Sequence, residues 1–407
     1  MEHLILLPND ELQLRLNRLR TAARRLCVTA GDPAPAALLI SDNATIYYLT
    51  GRVFSGWAYV PLTDESDQEA SSPVWFVRRP VEMQGENVVE LRKPEEIPDK
   101  LAALHRAPVA SIGLEMDILP YTTVLRLMKV FPSAKPFNAS PVIALARSVK
   151  TPMEIGLMAQ SGVIHEAVYS HIPALYSPGM NDFELEVAIE NLARQEGCLG
   201  IFRISGQSME FFMGNVLTGN NADVPTPYDF ALGGAGKDPS LPVGACGEEI
   251  KPGSTVSVDV NGDYTGYMTD MTRVYSCGKI SDKAMKAHQC SIDIHNEFRR
   301  MAVPGCAAAD LYKMAFEKAK AAGLEPYFMG HRQHASFCGH GLGIEINEMP
   351  VISPRSKDIL EEGNAIAFEP KFVIPGTGAV GIENTYIITS SAPRCLTNSP
   401  EEIISLL

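Results

Sequence analysis

Acidic side chains on short strands are the first sign of chemistry in this 407-residue chain. In Val256-Ser-Val-Asp-Val-Asn261, the valines share one face of a strand, and Ser257, Asp259 and Asn261 share the other. Gly262 and Gly266 mark a turn, and a second strand is expected from Asp270 to Tyr275. With the turn centred between Tyr264 and Thr265, Asp259 and Asp270 become cross-strand partners, Cβ atoms about 4.5–5.5 Å apart. Two carboxylates that close repel, and one must take up a proton unless a cation lies between them. A metal ion supplies that cation.

The pattern recurs near the C-terminus. Asn364-Ala-Ile-Ala-Phe-Glu-Pro-Lys-Phe372 and Val380 to Thr389 read as strands joined through Ile374-Pro-Gly-Thr-Gly378, a strong turn signal. A turn centred on Gly376 pairs Glu369 with Glu383. Their same-face neighbours, Ala365, Ala367, Gly381 and Thr385, are small, which leaves each carboxylate room to reach a ligand. Two opposed acidic pairs each need a counter-charge. His340, in Cys338-Gly-His-Gly-Leu-Gly343, adds a nitrogen between glycines that let the backbone come close. Four carboxylates and one imidazole suit Mn, Co, Fe or Zn, and four negative charges suit two divalent ions.

The elements around these residues read as two domains. Residues 11–26 form a basic amphipathic helix, and strands are expected at 36–40, 46–49, 73–77 and 111–115, with a helix at 121–130. That alternation suggests an α/β domain ending near Ala146; the acidic segment Asp64 to Ala70 reads as a surface loop. Thr151-Pro-Met-Glu154 is a helix start with a capping box, and the helix runs to Leu175. Asn181-Asp182 caps another helix, which ends before Gly197. Strands are expected at 201–210, 230–234 and 255–261, with a Gly-, Asn- and Pro-rich loop at 213–228, and helices at 281–303 and 308–322. His165 and His171 read as structural or exposed.

A net charge of −13 argues against nucleic acid and anionic membranes as partners. No stretch reaches the roughly 20 apolar residues needed to span a bilayer, and the N-terminus lacks the basic region of a signal peptide. Eight cysteines without a CxxC pair suit reduced thiols. A cytoplasmic protein is expected.

Taken together, Asp259, Asp270, His340, Glu369 and Glu383 resemble the metal ligands of the pita-bread metallopeptidases, the family of methionine aminopeptidase, aminopeptidase P and prolidase. Tyr267-Met-Thr-Asp-Met-Thr-Arg273 resembles its GYxxDxTR, and Gly339-His-Gly-Leu-Gly343 with Glu348 and Pro350 resembles GHGxGxxxHExP. Phe368-Glu-Pro370 and Gly381-Ile-Glu383 resemble its last two ligand strands. Ala36 to Gly51 resembles the creatinase-type N-terminal domain of the aminopeptidase P and prolidase branch. The resemblance implies an α+β fold, with a creatinase-like α/β domain at 1–147 and a pita-bread catalytic domain at 148–407. It implies a dinuclear Xaa-Pro dipeptidase or aminopeptidase acting on a small peptide, in which a hydroxide bridging two metal ions attacks the peptide bond. Glu369 would be both a ligand and the group that moves the proton, with His340 and Asn347 as further catalytic residues. It also implies a homodimer in which the N-terminal domain edges the other subunit's site, with Trp57 either at that edge or a core aromatic of its own domain.

Three positions depart from the pattern. The family's histidine 16–18 residues before the first aspartate falls on Leu241-Pro-Val243, and no histidine lies between His171 and His288. The histidine seven residues after the ligand histidine is Asn347, with His331 and His334 as possible spatial substitutes. The arginine two residues before the last ligand is Gly381. Val243 and Asn347 thus stand where the family contacts its substrate, and Asn347 alone of the two can donate a hydrogen bond from its side chain. A donor to the oxyanion is worth roughly 2.7–4 kcal/mol. These losses leave two alternatives beside the peptidase: another enzyme on the same fold (a lyase or amidinohydrolase), or a non-catalytic peptide-binding relative.

Overall fold

A computed structural model describes residues 2–30, 35–62, 71–204 and 210–407, with backbone alone for 28–30. The chain divides into two compact units, Met1–Arg147 and Ser148–Leu407.

The first unit is a six-stranded sheet in the order β4-β3-β2-β1-β5-β6. Its strands are β1 (Ala37–Ile40), β2 (Ser55–Pro61), β3 (Val74–Arg79), β4 (Val88–Glu90), β5 (Ser111–Leu114) and β6 (Lys135–Asn138). β1 to β5 and β5 to β6 run parallel, β1 to β2 antiparallel. Residues 46–49, expected as a strand, belong to a helix, Asn43–Thr50. The Asp42 carboxylate accepts from the N–H groups of Ala44 and Thr45, and Gly51 closes the other end at φ +73°. Those caps override the strand preference of Ile46, Tyr47 and Tyr48. Trp57 lies on β2 and packs half-buried against the unit's own core. The acidic segment at 64–70 falls outside the described residues.

In the second unit both expected helix starts are present. Thr151 caps helix Pro152–Leu175 and Asn181 caps Asp182–Gln195, each with a reciprocal bond from a glutamate three residues on. A four-stranded sheet follows in the order β19-β11-β8-β7. It comprises β7 (Gly214–Thr218), β8 (Thr255–Val260), β11 (Thr272–Ser276) and β19 (Ile404–Ser405). The short pair β9 (Gly262–Asp263) and β10 (Met268–Thr269) closes the turn between β8 and β11. A second sheet runs β13-β12-β14-β17-β18: β12 (Gly339–Gly341), β13 (Glu348–Ile352), β14 (Ala365–Phe368), β17 (Asn384–Ile387) and β18 (Arg394–Cys395). Between β14 and β17 the chain makes the hairpin β15 (Lys371–Ile374) and β16 (Gly378–Gly381). Helices Asp282–Met301 and Ala308–Ala321 share a large apolar core with this sheet, including Ile294, Phe298, Leu311, Phe368 and Tyr386.

The region read as a loop at 213–228 contains β7, which pairs antiparallel with β8. Residues 230–234 are not a strand, nor are the described residues of 201–210; residues 205–209 fall outside the description.

Candidate metal centre

The two acidic hairpins differ in how closely they follow the expected register. β8 and β11 pair with Asp259 opposite Thr272, and β9 and β10 with Asp263 opposite Met268. The turn is therefore centred between Thr265 and Gly266, one residue later than expected, with Gly266 at φ +83°. Asp270 is the diagonal neighbour of Asp259 instead of its direct partner. The later centre has a physical cause: Gly266 supplies the positive φ the turn needs, and its N–H bonds to the Asp263 carboxylate at 2.9 Å. At the second hairpin Lys371 opposes Gly381 and Phe368 opposes Asn384. One register, centred on Gly376, continues through both ladders, so Glu369 and Glu383 face one another in the gap between them.

His340 sits on β12 opposite Ala367 of β14, where a bulge follows it. Its Nδ1 lies 3.1 Å from the Gly341 carbonyl, which only accepts, so Nδ1 carries the hydrogen there. Nε2 then faces Glu369 Oε1 at 3.4 Å and Asp270 Oδ2 at 3.9 Å. Ligating atoms of Asp270, His340 and Glu383 gather within 4.8 Å of one another, as do those of Asp259, Glu369 and Glu383. Glu383 is common to both groups.

Supporting bonds aim these groups. Thr272 Oγ1 donates to Glu383 Oε2 at 2.7 Å. Asp270 N–H donates to Thr385 Oγ1, whose hydroxyl donates back to the Asp270 carbonyl. Arg273, 1% exposed, donates to the carbonyls of Thr272 and Glu383 and so ties β11 to the second acidic strand. Lys371, which the sequence reading passed over, places Nζ 2.8 Å from Asp259 Oδ2, 2.7 Å from Glu369 Oε2 and 3.1 Å from Glu383 Oε2. At a period of two it shares the face of Ala365, Ala367 and Glu369, the one signal that could have found it.

The electrostatics fit a cation-binding centre. Burial, then the charge of Asp259, pushes Asp270 up to about 7. Burial, then Asp270 and Glu369, pushes Glu383 well above the ordinary carboxylate range. Burial opposes charge on His340, but Glu369 and Asp270 outweigh it and push the imidazole up to about 9. Burial would raise Glu369 too, yet the Lys371 charge and the His340 bond hold it below its usual value. Even with Lys371 present, Glu383 Oε1 is buried with no hydrogen-bond partner. An orphaned carboxylate oxygen among oxygen and nitrogen donors suits a divalent ion.

Asp259, Asp270, His340 and Glu369 open onto a cavity of about 220 Å³. Phe202, Phe211, Phe230 and Phe337 contribute aromatic faces to its wall, with Phe211 5.0 Å from Phe202 and 5.2 Å from Phe230 between ring centres. Asn347 lines this cavity, and so does Asn215, which faces Asp259 across β7 and β8. Val243, expected at the substrate, does not line it. Its N–H bonds to the Leu241 carbonyl, and it is buried under Gly236, where a Cβ would meet its backbone at 2.8 Å. His331 bonds to Asp223, and His334 Nδ1 lies 2.8 Å from the Phe328 carbonyl; neither lines the cavity. His165 is buried beside Thr269, and His171 is exposed. Phe202 and Phe230 fall in segments expected as strands, whose described residues have none in the structure, and no sequence signal singled out these two or Phe211 as a cavity wall.

Comparison with known proteins now supplies the class. Residues 156–390 match the model of metallopeptidase family M24, and residues 15–149 match that of the creatinase/prolidase N-terminal domain. The chain belongs to metallopeptidase family M24, with a pita-bread catalytic domain, and is a metallohydrolase of the prolidase and aminopeptidase P branch. It is similar to the uncharacterized peptidase YqhT of Bacillus subtilis, 27% identical over 377 residues that span 91% of this chain and 95% of the relative. It is also similar to the Xaa-Pro dipeptidase of Pyrococcus horikoshii, 26% identical over 372 residues, 90% of this chain and 94% of that one. Among solved structures, the fold resembles an X-Pro aminopeptidase from Thermotoga maritima, with a TM-score of 0.72, 20% identity, and coverage of 94% of this chain and 99% of that one. A Xaa-Pro dipeptidase from Bacillus anthracis gives a TM-score of 0.72 at 23% identity, covering 97% and 99%.

Proposed function

We propose that this metal-dependent peptidase hydrolyses the bond before proline in short Xaa-Pro peptides. The observation that carries the reading is the convergence of Asp259, Asp270, His340, Glu369 and Glu383, the first four of which open onto one small cavity with phenylalanines in its wall. Divalent metal such as manganese, held by donors from this set, would lower the pKa of a bound water and polarise the scissile carbonyl. Domain bounds at 1–147 and 148–407 belong to the same reading.

The chain's own groups supply the rest. Glu369, held ionised by Lys371 and His340, is the group that accepts a proton from water and returns it to the leaving amine. His340 Nε2, 3.4 Å from Glu369 Oε1, fixes that carboxylate at the cavity edge. Phe202, Phe211 and Phe230 offer flat apolar faces to a proline ring and exclude bulk water. Asn347 stands at the rim as a side-chain amide donor for the substrate. The names of the relatives support a dipeptide-sized substrate, and so does the cavity volume.

We further place the protein in the cytoplasm as a homodimer. Cys198, Cys246, Cys277, Cys290, Cys306, Cys338 and Cys395 are free thiols, which suits a reducing compartment. Among the described residues no helix is long and apolar enough to cross a membrane.

Chelator-stripped protein reloaded with Mn²⁺ or Co²⁺ should cut Ala-Pro and Met-Pro faster than Ala-Ala. Equal or absent cleavage of all three, with metal bound, would move the protein to the lyase or binding alternatives.

A further inference from the structure

The five donors divide into two groups of three that share Glu383, and the structure treats them differently. The Asp259, Glu369 and Glu383 group is already filled by a cation of the chain itself. Lys371 Nζ directs hydrogens at one oxygen from each of the three, at 2.8, 2.7 and 3.1 Å. An ammonium has three such hydrogens, so its donors are all used. No lysine or arginine nitrogen bridges the Asp270, His340 and Glu383 group, whose imidazole can give up its proton to a metal, and the Glu383 oxygen outside the Lys371 contact, Oε1, is buried without a partner.

Lys371 is held in that position. Its side chain is 1% exposed, and its carbonyl accepts the Met329 N–H at 2.8 Å. Across the ladder stands Gly381, at φ +120°, where a Cβ would come within 2.9 Å of Lys371 Cα and 2.8 Å of the Pro370 carbonyl oxygen. The position that resembles an arginine site in the family is thus a glycine, and the positive charge stands directly opposite it.

A divalent ion on the same three oxygens would need them at roughly 2.0–2.2 Å, in the space the ammonium nitrogen now fills. We propose that Lys371 is a built-in cation replacing one of two metal ions, and that the protein holds a single divalent ion on Asp270, His340 and Glu383. The inference deepens the metal-peptidase reading and rests on it. Charge is consistent with it: four carboxylates carry −4, and an ammonium with one divalent ion brings +3. Lys371 is a positioning residue here. It fixes Glu369 and Glu383 and does not line the cavity.

The test counts ions. Full-length protein, stripped with chelator and dialysed against Mn²⁺, is measured by elemental mass spectrometry and electron paramagnetic resonance. The wild type should hold one Mn²⁺ per chain with the spectrum of an isolated ion. Lys371→Ala should hold two, with an exchange-coupled spectrum. Asp259→Asn, which leaves Lys371 in place, should keep the single ion, and Asp270→Asn should lose it. If Lys371→Ala does not fold, Asp259→Asn decides: retention of the ion supports the inference and its loss overturns it. Two ions in the wild type, or one in a folded Lys371→Ala, overturns the inference alone. A wild type that binds no Mn²⁺ overturns the metal-peptidase reading as well.

Discussion

Replacing Glu383 by glutamine should stabilise the metal-free protein and destabilise the metal-loaded one relative to wild type. Glu383 has a carboxylate oxygen within 4.8 Å of those of Asp270, Asp259 and Glu369. At an effective dielectric of about 20, one such pair repels by about 3.5 kcal/mol, or about 10 kcal/mol for three. Lys371 at 3.1 Å returns about 5 kcal/mol on the same scale. The His340 imidazolium, within 4.8 Å, returns about 3.5 kcal/mol more, and the remaining repulsion of about 1.5 kcal/mol, added to the cost of burying the charge, must be relieved by proton uptake or by a bound cation. An amide removes it while keeping an oxygen to accept from Thr272. The sign with pH follows from the raised pKa of Glu383. A carboxyl whose pKa is raised on folding costs nothing below its ordinary value and costs more as pH climbs above it. The gain should therefore be greatest near pH 8, a few degrees in melting temperature, and vanish near pH 4.5. Differential scanning calorimetry of both proteins, in chelator and in excess Mn²⁺, reads this directly. In metal the order should reverse, because the variant loses the ligand common to both groups. A metal-free Glu383→Gln protein that melts below metal-free wild type at pH 8 would refute the electrostatic account of this site.

Glu369→Gln should lower kcat by about 10²–10⁴ through loss of the proton-transfer group, with little change in the folded far-UV circular dichroism spectrum. Phe230→Ala removes an aromatic wall of the cavity and should raise KM for Xaa-Pro dipeptides about tenfold, read by steady-state kinetics. In the first unit, burial pushes Glu115 up to about 7. Its Oε2 accepts from the N–H groups of Ser41 and Asp42, while Oε1 has no partner. Glu115→Gln should add about 3 kcal/mol at pH 8 and almost nothing at pH 4.5, measured by urea unfolding at both pH values.

The converging acids were legible because each lies on a strand whose neighbours alternate. Asp259 follows two valines at a period of two, and Glu369 follows two alanines. Pro375-Gly376 located its turn correctly, so Glu369 and Glu383 were placed opposite one another from sequence. The first hairpin has several residues able to turn, and choosing between Tyr264-Thr265 and Thr265-Gly266 needs the Asp263 side-chain bond that only the fold reveals. A one-residue error in the centre moved the partner of Asp259 from Thr272 to Asp270. Helix Asn43–Thr50 was misread because Ile46, Tyr47 and Tyr48 favour strands locally, while the deciding caps at Asp42 and Gly51 are tertiary in their consequence. The aromatic wall was illegible because Phe202 and Phe230 were read into strands that the structure does not form there, and only the fold brings them beside Phe211. Lys371 was visible on the face of Glu369, but a lysine in a strand reads as solvated until three carboxylates are seen around it.

Peptide hydrolysis at this centre should depend on metal held through His340. Release of proline from Ala-Pro is followed on chelator-stripped protein as Mn²⁺ is added, in wild type and in His340→Ala. The wild type should show no turnover in chelator and saturable turnover on adding Mn²⁺, and the variant none at the same concentration. Turnover that persists in chelator, or that His340→Ala leaves unchanged, would contradict this dependence.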